Sequence, residues 1–142
     1  MRIDELKTAL NITTGIDVAR VIFDPMQDLN TEQNRSYPTI MWDLNSLEFT
    51  TRLNSNRAVE TTYTMRVYIL EWLDTRAKSN SETKHEKWQA MHANFEEYVL
   101  KVNQDAKIHI NPNVSGEFFT EGTTSVESEI AIGYDVTVTQ SC

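Results

Sequence analysis

The chain has 142 residues, close to the commonest size for one domain, and is expected to form a single unit over 1–142. Apolar residues make up 39% and charged residues 24%, a mix that excludes a disordered chain. A formal net charge of −8, from 13 Lys and Arg against 21 Asp and Glu, argues against a protein that grips phosphate backbones or anionic membranes.

Residues 3–10 read as a short amphipathic helix, with Ile3, Leu6 and Leu10 at helical spacing and Asp4 and Glu5 in the first turn. The start, MRIDELKTALN, is charged where a secretory signal would be apolar, so synthesis in the cytoplasm is expected. Residues 17–23 are β-rich and close at Asp24-Pro25; a polar loop over 27–36 follows. Residues 37–51 form the next extended region. Ile40, Trp42 and Leu44 share one parity, Leu47, Phe49 and Thr51 the other, and the switch predicts a bulge or turn near 45–46. Asn54-Ser55-Asn56 is a turn, and residues 59–73 are the longest strand candidate. Past Tyr68 both parities become apolar, which requires burial on both faces, within the protomer or by a partner.

Two capping boxes, Ser79-x-x-Glu82 and Thr83-x-x-Glu86, precede a long helix that runs to about residue 103. Its apolar stripe is Trp88, Met91, Phe95, Tyr98, Val99 and Val102. Short strands are expected at 107–110 and 117–120, separated by the Asn111-Pro112-Asn113 turn. Residues 127–140 alternate cleanly, with Ile130, Ile132, Tyr134, Val136 and Val138 on a core face and solvent or a polar interface on the other.

Motifs for chemistry are missing. His85-Glu86-Lys87-Trp88-Gln89 begins like a zinc motif but has Gln89 where the second ligand must stand, and Glu82-x-x-His85 has no second pair to complete a di-iron site. His92 reads as a helix-flank residue. Asp24, Asp28 and Glu32 read as a solvated loop cluster, and Cys142, the single cysteine, is terminal and without a base. Phosphate loops, nucleophile elbows and CxxC pairs are absent, so no cofactor, metal or enzymatic activity is expected. The aromatics Trp42, Phe49, Trp72, Phe118 and Phe119 lie on short strands or strand ends. Most belong to a core, and the remainder are candidate interface anchors.

The order of elements resembles the tail terminator, or tail completion, family of tailed bacteriophages: helix 4–10, strands 17–23, 37–51 and 59–73, a packed helix at 82–103 and a closing strand at 127–140. The resemblance covers nearly the whole chain and rests on element order; neck rings of short-tailed phages are a close neighbour. It implies an α+β fold in which a short N-terminal helix precedes a twisted, mainly antiparallel sheet with one long amphipathic helix packed on it. It also implies a homo-oligomeric ring at the neck or tail of the virion, as tail terminator or head-tail connector. The partners implied are further copies and other virion proteins of the portal, neck or tail, with DNA passing through unheld. Asp24, Asp28, Glu32, Glu48, Glu117 and Glu121 are the expected lumen-facing carboxylates, where repulsion of phosphate would ease passage. Two alternatives stay open. One is a small ligand-binding or enzymatic α+β domain with a cavity near His92 or Tyr98. The other is an adaptor that adds a partner strand to 127–140.

Overall fold

The structure, a computed structural model, describes residues 3–23, 37–73, 81–105, 107–111, 113–119 and 129–141. In chain order these form α1 (Ile3–Leu10), β1 (Arg20–Phe23), β2 (Thr39–Asn54), β3 (Arg57–Trp72), α2 (Ser81–Val102), β4 (Ile108–Ile110), β5 (Ser115–Phe119) and β6 (Glu129–Ser141). The architecture is α+β and dominated by the sheet. Its strand order is β1-β2-β3-β6-β4, and β5 also pairs with β6.

β2 and β3 form a long hairpin whose register shifts between Asp43 and Glu48, at the bulge expected near 45–46. The turn lies at Ser55 and Asn56, where Asn54 Oδ1 accepts the Ser55 N–H at 2.6 Å. Two expectations need correction. The first strand begins at Arg20 rather than residue 17, and it pairs parallel to β2 within an otherwise antiparallel sheet. β6 is a central strand, bonded to β3 on one side and to β4 and β5 on the other, so it has no edge on which to add a partner strand.

The main core lies between α2 and one face of the sheet. Trp88, Met91, Phe95, Tyr98 and Val102, spaced to fall on one side of the helix, meet Ile40, Trp42, Tyr63, Val67, Ile69 and the even-numbered apolar residues of β6. α1 closes one end with Leu6 and Leu10, both fully buried. One buried oxygen joins three elements: Tyr98 Oη donates to the Leu10 carbonyl at 2.5 Å and accepts the Trp42 Nε1–H at 3.0 Å. The Leu10 carbonyl, at the C-terminus of α1, also accepts the Ile12 N–H at 3.0 Å, so Tyr98 is its second partner and ties the end of α1 to α2.

The opposite face of the sheet is not uniformly solvated. Met41, Leu70 and Ala131 are at most 1% exposed there, packed with Ile22, Tyr37, Tyr68 and Phe119. This satisfies the two-sided burial expected past Tyr68, with Ile69 on the helix face and Leu70 on the other. It also corrects the expectation that this face of β6 meets solvent or a polar interface, since Ala131 is buried among apolar side chains there, while Glu129, also buried, accepts the Tyr37 hydroxyl at 2.6 Å.

α2 ends against β4 through Asn103, whose Nδ2 donates to the Ile110 carbonyl at 2.9 Å and whose Oδ1 accepts the Ile110 N–H at 2.6 Å. The side chain thereby acts as one more strand partner for β4. Asn103→Ala leaves both Ile110 groups without it and is expected to lower the unfolding free energy by about 1–3 kcal/mol, measured by chemical denaturation with an unchanged m-value.

Candidate functional site

No side-chain cluster of the described residues has the make-up of a metal centre: no group of three or more His, Cys, Asp or Glu is placed to hold an ion. No described helix is long and apolar enough to cross a membrane. The surface features are instead two sheet edges, an acidic sheet face and a groove on α2.

The edges follow from topology. β1 covers β2 only from Thr39 to Trp42, so among the described residues β2 from 43 to 54 has no strand on its outer side. On the far side of the sheet β4 and β5 lie end to end along β6. Ile110 pairs with Val138 and Ser115 with Asp135, so β4 and β5 meet β6 in different registers. Each edge carries an exposed aromatic ring. Phe49 is 53% exposed, and Phe118 is 59% exposed although it stacks on Trp88 at 4.7 Å.

The five aromatic anchor candidates are therefore scattered over the sheet. Trp42 is a correction: it shares a cross-strand row with Val67 and Tyr134 under α2, has no exposed surface, and belongs to the core. Phe118 and Phe119 point to opposite faces of β5, as adjacent strand residues must. Phe119 is half-buried beside Tyr68, whereas Trp72, at the end of β3 and on the same face as Phe119, is about half exposed.

Among the acidic candidates, Glu48 and Glu117 both lie on the face turned away from α2, which also carries Asp43 and Asp135. Asp24, Asp28, Glu32 and Glu121 lie outside the described residues. Arg66 stands among these carboxylates. Its Nη2 donates to Glu117 Oε1 at 2.6 Å, its Nε lies 3.6 Å from Asp135 Oδ1, and its guanidinium covers the rings of Tyr68 and Phe119. The Glu117 hydrogen bond holds the guanidinium above its ordinary pKa, while partial burial raises that of Tyr68 against the opposing charge of Arg66. Four carboxylates against one guanidinium leave the patch negative.

On α2, His92 sits between two partners. Its Nδ1 is 2.8 Å from the Tyr134 hydroxyl and its Nε2 is 2.9 Å from Glu96 Oε1. Burial, aided by the Glu96 charge, keeps the Tyr134 phenol protonated well above its usual range, and the His92 ring links this hydroxyl to the Glu96 carboxylate. The Tyr134 ring is only 2% exposed, edge-on to Phe95, so the inner end of this chain meets no solvent and serves to tie α2 to β6. Beside it runs a groove of about 420 Å³ lined by Phe95, Glu96, Val99, Leu100 and Val114 among others.

Sequence reasoning passed over Arg66, Leu53 and Leu100. The last two had a visible signal, since Leu53 is a leucine between Arg52 and Asn54 and Leu100 lies off the helix stripe. Neither protein-family models nor curated proteins gave a match to the chain, and its function must be read from the edges, the acidic face and the groove themselves.

Proposed function

We propose that this chain is a structural virion protein, one subunit of a homo-oligomeric ring at the neck or tail of a tailed bacteriophage, acting as a tail terminator or head-tail connector. The observation that carries the reading is the pair of unlike edges on opposite sides of one sheet, β2 with Phe49 and β5 with Phe118. A closed ring needs two different surfaces on each copy, repeated head to tail. The element order supports the same reading. The acidic face supplies what the wall of a DNA passage needs, since Asp43, Glu48, Glu117 and Asp135 outnumber Arg66 and repel phosphate.

Negative-stain imaging and native mass of the purified chain test this directly. Closed rings of one subunit size are expected, and a monomer at every concentration removes the reading. Phe49→Glu or Phe118→Glu introduces a charge at an exposed position of an edge strand. Each is expected to leave a folded chain, by circular dichroism, that no longer assembles; retained rings would reject the choice of residues. A ligand-binding domain is the second reading, favoured by the groove beside His92. It predicts a discrete monomer whose melting temperature rises with a small molecule bound near Leu100.

A further inference from the structure

We propose that the tip of the β2–β3 hairpin of one copy seats in the α2 groove of the next, with Leu53 as the apolar knob and Arg57 against Glu96 and Glu97. This rests on the ring reading above and names a contact within it. Leu53, 72% exposed, and Leu100, 68% exposed, are the two most exposed large apolar side chains among the described residues. Leu53 stands in β2 opposite Ala58, two residues before the turn at the tip, and Leu100 lines a concave surface, so their shapes are complementary as well as their chemistry.

Charge selects the same pairing. The chain carries a net charge of −8, yet residues 52–57 contain Arg52 and Arg57 and no carboxylate. Arg52 reaches back to Glu60 at 3.3 Å, whereas Arg57 has no ion-pair partner among the described residues. At the groove, Glu96 and Glu97 stand four and three residues before Leu100, which places both on its side of the helix. Glu96 is held by His92, and Glu97 has no ion-pair partner among the described residues. A basic turn with an apolar knob therefore matches an apolar groove with an acidic rim, and like copies need no third protein to supply the match.

Within one copy the two surfaces do not meet, since Leu53 and Leu100 are both largely exposed. The tip belongs to β2 and β3, while Val114, on the groove wall, lies between β4 and β5 on the far edge. Three strand spacings, about 14 Å, separate β2 from that edge. Tip and groove thus face different neighbours, the head-to-tail arrangement that closes a ring.

Cysteine cross-linking tests it on the full chain with Cys142→Ser. Leu53→Cys and Leu100→Cys, introduced in separate chains and mixed under oxidation, are expected to give a covalent dimer that neither gives alone. Both in one chain are expected to give a ladder of multiples. Arg57→Glu is expected to weaken self-association about tenfold or more, with Glu97→Lys in the same chain restoring it to within about threefold. Copies that associate without the 53–100 link, and without response to Arg57→Glu, overturn this contact and leave the ring reading standing. A chain that stays monomeric at its highest soluble concentration with no link overturns both.

Discussion

Tyr98→Phe is expected to lower the unfolding free energy by about 2–4 kcal/mol and the melting temperature by roughly 10 °C. The lost oxygen serves two buried partners at once, the Leu10 carbonyl at the end of α1 and the Trp42 indole N–H in β2. Phenylalanine fills the same space, so the loss reads hydrogen bonding rather than a cavity. A smaller effect in Trp42→Phe combined with Tyr98→Phe than the sum of the two singles is expected, because the second change removes the donor that the first strands. The Leu10 carbonyl keeps the Ile12 N–H, so a loss below about 1 kcal/mol for Tyr98→Phe would show that the Trp42 indole N–H also finds another partner.

The same residue sets behaviour at high pH. Burial raises the pKa of Tyr98 and of Tyr134 far above the ordinary value of 10.0. Both phenols stay protonated in the folded state while the unfolded chain releases its protons from about pH 10. Their contribution to stability is therefore whole below pH 10 and falls as pH rises above it, by about 1.4 kcal/mol per unit for each tyrosine. Tyr98→Phe should make that fall shallower by one such increment. Ultraviolet titration should find that these two of the chain's five tyrosines ionise only as it unfolds.

Gly133→Val is expected to cost about 3 kcal/mol, and Gly133→Ala about 1–2 kcal/mol. A Cβ at Gly133 would come within 2.9 Å of Phe119 Cε2 and 3.0 Å of Tyr68 Cε1, since both rings lie across the glycine. Those rings help cover Met41, Leu70 and Ala131 and sit beneath Arg66, so moving them opens the second core. Phe119→Leu should recover part of the loss in Gly133→Ala by clearing the space. Equal stability of Gly133→Ala and the unaltered chain would show that the rings give way freely.

Regular periodicity made the long elements legible. α2 shows its stripe, β6 its alternation, and the parity switch in β2 marks its bulge to within a residue or two. Pairing partners were not legible. Nothing in Arg20–Phe23 says that it runs parallel to β2, and an alternating strand such as β6 reads the same at an edge as in the centre. The acidic face shows the same limit. Asp43, Glu48, Glu117 and Asp135 are dispersed along the chain and become one patch only through the registers of four strands. Trp42 was misplaced because an aromatic on a short apolar strand fits a core or an interface equally well until its indole partner, Tyr98, is known.

The central place of β6 has a consequence for how the chain is made. β3, sixteen residues long, has one flank closed by β2 soon after synthesis, but its other flank waits for Glu129–Ser141 to leave the ribosome. Until then the nascent sheet displays an open, apolar template, with the slow kinetics that long-range strand pairing imposes. A polypeptide released early would lack the strand that holds β3 to β4 and β5. A chain cut before Glu129 would thus keep the β2–β3 hairpin but lose β4 and β5 from the sheet together.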